Sequence, residues 1–185
     1  MGQIQKSPPV KLIISIFTQQ NNSFLAIEEI LSKKFGPIDF SSPIIDFNHT
    51  RYYEKEFGPN LGRKLISFKK LIDSDNLWKI KIQTNKLEDK LITNSKRQFN
   101  IDPGYITQAK LILASSKNFA HRIHIRNGIY QEVTLLFKDK SFQPLPWTYP
   151  DYQNKECVDI FIKIRDILNS QLKSYERLSQ LSKKL

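Results

Sequence analysis

Three short segments of the chain combine aromatic rings with carboxylates, residue types that stack on a planar ring, act as bases or bind a cation. Residues 52–56 precede a Gly-Pro pair, residues 100–105 surround an Asp-Pro-Gly triplet, and residues 147–152 precede the last helical pattern. Loops on a rigid sheet are where binding sites are commonly built. The segments therefore predict one shared site. The structural alternative is that Asp102 and Asp151 cap local turns and that the rings close the core.

The site predicted from these segments and the basic residues near them takes a small anionic ligand, phosphorylated or nucleotide-like. Basic members would neutralise its charge, acidic members would hold a cation or act as bases, and aromatic members would wall a ring. The candidate ligand-binding residues are Tyr53, Glu54, Arg97, Asp102, Tyr105, Lys110, His121, Arg122, Glu132, Trp147, Tyr149 and Asp151. No catalytic residue and no cofactor is assigned, and whether the protein is an enzyme stays open.

Several well-known chemistries lack their motifs in this chain. The nearest string to a phosphate loop, residues 58–64, is too short between its glycines and lacks the Ser or Thr that binds magnesium. His121 and His124 are three apart on a predicted strand, so they point to opposite faces and no metal site is predicted. His121 with Arg122 opens the strand, where both can face a ligand or serve structure. Cys157 lies on an apolar helical stripe and is interpreted as a packing residue.

The net charge of +11 favours anionic partners, among them nucleic acid and phosphorylated metabolites. An RNA- or DNA-binding module is therefore the first alternative function, although no run of basic residues exceeds two. The alternative explanation of the positive charge is codon drift in an AT-biased genome, without any functional role. The single cysteine excludes an intrachain disulfide and fits a cytoplasmic setting. No stretch approaches the roughly 18 apolar residues of a membrane span, and no secretory signal is recognised.

The elements that position these residues follow from hydrophobic periodicity in a chain of 185 residues, which fits one domain, 1–185, with a core of about 6–172. Residues 107–114 stay ambiguous between strand and helix, and a turn is predicted at 102–104. A hairpin is predicted around Asn127-Gly128, and the tail from 179 is expected to fray. The other predicted elements are strands at 10–17, 63–69, 77–83, 121–125 and 129–137, an extended stretch at 38–47, and helices at 24–35, 85–91 and from 154. The order predicts an α+β fold with a mixed or antiparallel sheet, a C-terminal β-hairpin and a packed C-terminal helix.

Blocks spread along the chain in order resemble the domain of unknown function family 4416. They include residues 35–40, 52–61, 100–105, 121–123 and 141–152, and the resemblance covers about residues 6–172. It implies a small prokaryotic cytoplasmic protein and no particular activity. Members sometimes carry the label GTP-binding protein. Since the chain has no phosphate loop, GTP binding of a different kind is the second alternative function.

Overall fold

The computed structural model describes residues 2–5, 7–19, 23–47 and 54–182, which contain both β-strands and α-helices. In chain order the elements are β1 (Lys11–Thr18), α1 (Phe24–Phe35), β2 (Ile38–Ser41), β3 (Ile45–Phe47), α2 (Glu54–Phe57), β4 (Leu61–Phe68), α3 (Leu77–Lys90), β5 (Asn100–Ile106), β6 (Lys110–Ser115), β7 (Ile123–Arg126), β8 (Ile129–Lys138), β9 (Ser141–Pro144), α4 (Pro150–Gln153) and α5 (Lys155–Ser182).

The described strands form one open sheet in the order β2-β4-β1-β5-β6-β8-β7, with β3 also paired to β4 and β9 to β8. Every pairing between these strands is antiparallel. The predicted α+β class, antiparallel sheet, β-hairpin and packed C-terminal helix are therefore confirmed.

Helices cover both faces of the sheet, which explains the nearly uninterrupted apolar run of β1. On one face, Ile13 packs with Phe161 and its neighbours on α5; we call this the α5 face. On the other, Ile14 packs with Ile27 of α1 and Ile80 of α3. Successive residues of a strand point to opposite faces, so alternate residues of β1 pack into two different hydrophobic cores, one on each face of the sheet. Each fully buried apolar side chain contributes roughly 1.5–3 kcal/mol.

Lys11 is the charged exception in β1, and it is fully buried. Its Nζ donates to the carboxylate of Asp39 and to Oε1 of Gln171, the latter at 2.8 Å. Gln171 in turn donates to the backbone carbonyl of Lys69 at 2.7 Å. Burial lowers the pKa of Lys11, against the opposing effect of Asp39. The three residues fasten the second half of α5 to the sheet.

The alternation of residues 77–83 predicts a strand, and Asn85 predicts a helix start; both predictions are wrong. One helix, α3, runs through the whole segment and ends at Lys90. Its buried positions have helical spacing and are Leu77, Ile80, Lys81, Thr84 and Glu88. Because two of them are charged, the buried face is not visible as an apolar stripe.

The turn predicted at residues 102–104 is also wrong, since these residues lie inside β5. Gly104 is required by close packing between strands rather than by a turn. A Cβ atom added there would lie 2.3 Å from the backbone oxygen of Ile112 on β6. The close approach of the two strands excludes any larger residue without a shift of the backbone.

The hairpin predicted at Asn127-Gly128 is confirmed, and both residues have the positive φ of a type I′ turn, 51° and 74°. A second hairpin of the same kind, at Asp139 and Lys140 with φ of 52° and 63°, joins β8 to β9 and was not predicted. The ambiguous segment 107–114 contains the strand β6. The last helix, α5, runs to Ser182, and residues 183–185 lie outside the described residues, so the fraying expected from residue 179 stays a prediction.

None of the helices in the described ranges combines the length and the apolar character that crossing a membrane requires.

Candidate functional site

A cleft of about 1220 Å³ opens on the α5 face of the sheet, and its described lining includes residues of α4 but no described residue of α5. Three groups of side chains surround it. The α3 side consists of Glu56, Lys81, Asn85, Glu88, Asp89, Arg97, Asn100 and Asp102. The floor consists of Phe17, Phe47, Arg63, Asp151 and Tyr152. The hairpin side consists of residues 115–119, His121, Arg122, Glu132, Trp147 and Tyr149.

The α3 side exists because strands β5 and β6 separate at Pro103. β5 pairs with β1 along its whole length, but with β6 only from Gly104 onward. Pro103 has no backbone N–H for a further ladder bond. Next to it, the N–H of Ile101 donates to Oε1 of Glu88 at 2.6 Å, and Nζ of Lys81 reaches the Ile101 carbonyl at 3.4 Å. Two side chains of α3 thus take the place of a neighbouring strand.

Arg97 joins three elements on the α3 side. Its Nε and Nη2 donate to the two carboxylate oxygens of Glu56 at 2.6 and 2.7 Å, and Nη1 donates to Glu88 at 2.8 Å. The bond to Glu56 raises the pKa of Arg97 and lowers the pKa of Glu56. For Glu88 burial outweighs its cationic neighbours and raises its pKa.

Asp102 is held by two residues of the same side. Nζ of Lys81 donates to it at 2.8 Å, and Nδ2 of Asn100 donates at 2.5 Å. Burial disfavours the charged form of this carboxyl, yet Lys81 and Asn100 outweigh burial and lower the pKa of Asp102. Asp102 is therefore an ionised carboxylate already paired with a cation of the protein.

The floor is built around Arg63, a buried guanidinium that is 4% exposed. Nη1 donates to the carboxylate of Asp151. The guanidinium lies between the rings of Phe47 and Tyr152, 4.2 and 4.9 Å from their centroids. Its Nε has no hydrogen-bond partner among the described residues. Burial raises the pKa of Tyr152 against the effect of Arg63.

Arg122 organises the hairpin side, and all its donor nitrogens are in use. Nε donates to Glu132 at 2.7 Å, and Nη1 donates to Oγ of Ser115 and the carbonyl of Lys117 at 3.2 and 3.1 Å. Nη2 donates to the hydroxyl of Tyr149 at 3.3 Å. The guanidinium therefore fixes the loop that follows β6 onto β8.

His121 lies among aromatic rings beside the carboxylate of Glu132, which also accepts a hydrogen bond from Arg122. Its Nε2 is 3.0 Å from Oε2 of Glu132. Its ring stacks on Trp147, with centroids 5.2 Å apart and planes at 7°, and Phe119 lies 5.2 Å away from it. Nε1 of Trp147 donates to the carbonyl of Val133 at 2.8 Å. The rings of Phe119, Trp147 and Tyr149 are nevertheless 64%, 38% and 52% exposed.

Eight of the candidate residues line this one cleft, although they come from distant parts of the sequence: Arg97, Asp102, His121, Arg122, Glu132, Trp147, Tyr149 and Asp151. His121 precedes β7 rather than lying on it, and only His124 is on the strand. No group of three or more His, Cys, Asp or Glu side chains is placed to hold a metal ion within the described ranges. The acidic members instead face cations of the protein.

Two candidate residues lie elsewhere, and two fall outside what the structure describes. Tyr105 is three residues after Asp102 on β5, so it points to the opposite face and packs there with Leu77 and Ile112. Lys110 is exposed at the start of β6, roughly 17 Å along the strand from Ser115 at its end. Tyr53 lies outside the described residues. Glu54 begins α2, but its side chain is not described.

Sequence reasoning missed three charged residues at the centre of the cleft. Lys81 and Glu88 are seven apart on α3, a spacing that places them on one helix face, and the wrong strand prediction at 77–83 hid it. Arg63 lies in a predicted strand next to Lys64, where a basic pair indicates an exposed position. No local pattern in the sequence indicates that Arg63 is buried.

The charge of the cleft differs from that of the chain. Its described lining has five basic and six acidic side chains, a net charge of −1, whereas the whole chain carries +11 and the remainder therefore +12. The α3 side carries −2, the floor is neutral, and the hairpin side carries +1 from Lys117 and Arg122 against Glu132.

Comparison with known proteins gives a family but no activity. The family model described as Domain of unknown function (DUF4416) matches residues 8–168. The chain belongs to this family. Neither the curated proteins nor the solved structures gave a match.

Proposed function

We propose that this member of the DUF4416 family binds a small nucleotide-like ligand in the cleft on the α5 face. The ring of the ligand would stack on the exposed rings of Trp147 and Tyr149. Its phosphate would lie at the loop that follows β6, near Ser116, Lys117 and Asn118. Base and sugar groups that donate hydrogen bonds would face the α3 side.

The observation that carries this proposal is the meeting of exposed aromatic rings and a polar loop inside one cleft. A group of large exposed rings in one cleft is typical of a ligand-binding surface, and a heterocycle is a natural occupant. Ser116 and Asn118 line the same cleft, and their side chains make no hydrogen bond to another described residue. A volume of about 1220 Å³ is enough for a nucleotide, since small-molecule sites measure roughly 300–1,000 Å³.

The distribution of charge supports the orientation of the ligand. Only the hairpin side has a positive balance, which suits a phosphate. The α3 side has two more negative charges than positive ones, which suits amino and hydroxyl donors. An anionic group at the α3 side would meet Arg97 and Lys81 already paired with carboxylates.

The two tryptophans provide the test. Trp147 lines the cleft, whereas Trp78 lies on α3 in a different cluster, with Arg126 5.0 Å from its ring. In a Trp78→Phe variant, Trp147 is the sole tryptophan, and we expect ATP or GTP to quench its fluorescence. ATP and GTP should also raise the melting temperature of the wild type and of Trp78→Phe, but not of Trp147→Leu. If no nucleotide changes the fluorescence or melting temperature, the proposal is rejected.

The +12 charge outside the cleft supports a second candidate, an RNA- or DNA-binding surface. Such binding would weaken steeply with salt, because phosphate contacts release counterions. Retention of labelled RNA at low salt that is unaffected by Trp147→Leu would favour this candidate. Absence of retention at both low and physiological salt would reject it.

A cytoplasmic location is part of the proposal. Its support is Cys157, a buried free thiol whose pKa is raised to about 11 by burial. A single free cysteine, with no intrachain disulfide possible, is typical of proteins in a reducing compartment. Cell fractionation of the tagged protein in its native host would test the location.

A further inference from the structure

The imidazole of His121 is held from several directions and keeps one nitrogen unengaged. Glu132 contacts Nε2, and Trp147 stacks on one ring face, with Phe119 also packed near the ring. Nδ1 has no hydrogen-bond partner among the described residues, and His121 lines the cleft. A carboxylate on one imidazole nitrogen that leaves the other for the reacting group is the usual arrangement of a general base.

The carboxylate that orients this imidazole is itself fixed. The Glu132 side chain is 3% exposed, and its Oε2 also accepts a hydrogen bond from Nε of Arg122 at 2.7 Å. Arg122 is in turn anchored to the loop after β6 and to Tyr149. The imidazole therefore has little freedom to rotate, which is what positioning for proton transfer requires.

We infer that His121 is the general base of a hydrolytic activity on a phosphate ester or phosphoanhydride bound in the cleft; this inference rests on the proposed function. The other buried carboxylates of the cleft do not fill this role, because Glu88, Asp102 and Asp151 each face a protein cation in an ion pair. His121 also adjoins the hairpin side, where the phosphate would lie.

The reaction is a displacement by water. The oxygen of a water molecule forms a bond to phosphorus while one of its protons passes to Nδ1 of His121. The bond between phosphorus and the leaving oxygen breaks on the opposite side of phosphorus, that oxygen takes a proton from solvent, and Nδ1 returns its proton to solvent. The products are a phosphate or phosphate monoester and the leaving group, which is an alcohol or phenol from an ester and a nucleoside diphosphate from ATP or GTP, and the imidazole returns to its starting state. Glu132 acts as a positioning residue, since it orients the ring and stabilises the transient imidazolium.

The experiment measures hydrolysis of p-nitrophenyl phosphate, bis(p-nitrophenyl) phosphate, ATP and GTP by the full chain, with and without Mg²⁺. We expect the wild type to hydrolyse at least one of them, and His121→Asn to lower kcat by about 100-fold or more. His121→Gln is a second variant with the same expectation. The matched control is His124→Asn, because His124 is exposed on β7 and its Nε2 accepts a hydrogen bond from the Gly128 N–H.

Binding measured in parallel separates the two proposals. Nucleotide binding that is kept in His121→Asn while turnover is lost supports the catalytic role, since a merely structural residue would change both or neither. Turnover in both His121 variants equal to that of the wild type overturns it. A wild type that binds nucleotide but hydrolyses none of the four probes overturns the inference and leaves the proposed function standing. A wild type that binds none of them removes the proposed function itself.

Discussion

The two sides of the cleft hold their charged residues in different ways. On the α3 side, Arg97 and Lys81 each face carboxylates that come from other elements, and these ion pairs close the gap where β5 leaves β6. On the hairpin side, a single buried pair, Arg122 with Glu132, fixes a loop and an imidazole. Exposed rings surround that pair, whereas the described lining of the α3 side contains no large exposed ring.

This difference shows why the number of charged residues does not identify a binding surface. The α3 side has more ionisable groups, but their hydrogen bonds are largely used to replace a missing strand. The hairpin side has fewer, yet it leaves Nδ1 of His121 and the rings of Trp147 and Tyr149 available. A ligand gains most where groups are positioned and still unengaged.

The largest expected effect on stability comes from a substitution in the floor of the cleft, which joins its two sides. Arg63→Met leaves the carboxylate of Asp151 in the core without its cation, so we expect a loss of about 3–5 kcal/mol in the free energy of unfolding. Urea unfolding followed by circular dichroism measures it. The double variant Arg63→Met with Asp151→Asn should regain much of that loss, because no unpaired charge remains. A single-variant loss below about 1 kcal/mol would contradict a structural ion pair here.

The sequence predicted the elements that have a clear local pattern, and it failed at α3, where charged residues interrupt the apolar pattern of the buried face. β1, α1 and the Asn127-Gly128 hairpin were recognisable because their pattern or turn chemistry is local. α3 was not, because its buried face carries Lys81 and Glu88, which bond to β5 where that strand separates from β6. Only the folded chain shows that gap.

The residues of the candidate site divide in the same way: some are predicted by local patterns, and others are brought together only by the fold. Composition identifies three segments with aromatic and acidic residues, and six of those aromatic and acidic residues line one cleft: Glu56, Asp102, Trp147, Tyr149, Asp151 and Tyr152. Tyr105 was misplaced because a strand was interpreted as a turn, which removes the alternation of faces. Arg63 could not be found, since its burial depends on Phe47, Asp151 and Tyr152, which the topology brings together.

A smaller effect on stability distinguishes two carboxyl groups of the α3 side by their pH dependence. Burial raises the pKa of Glu88 above its ordinary 4.5, so the folded protein holds that proton more tightly than the unfolded chain does. The contribution of Glu88 to stability therefore decreases as pH rises from about 4.5 through the folded pKa. We expect Glu88→Gln to gain stability relative to the wild type over this interval, measured by unfolding in urea at several pH values.

The control for this prediction is Glu56→Gln on the same side. Arg97 lowers the pKa of Glu56, so its contribution is complete above pH 4.5 and is lost only as pH falls through the folded pKa. The difference between Glu56→Gln and the wild type should therefore stay constant where that of Glu88→Gln changes. A constant difference for Glu88→Gln as well would show that this carboxyl is not raised by burial.

The smallest effect is expected for Tyr149→Phe on the hairpin side. The variant removes one acceptor of Arg122, which keeps Glu132, Ser115 and the Lys117 carbonyl. The ring is half exposed, so the free energy of unfolding should change by no more than about 0.5 kcal/mol. Urea unfolding alongside Arg63→Met provides the measurement. A loss of unfolding free energy as large as that of Arg63→Met would contradict this prediction. It would mean that Tyr149 has a structural role and that the hairpin side is held as rigidly as the rest of the cleft.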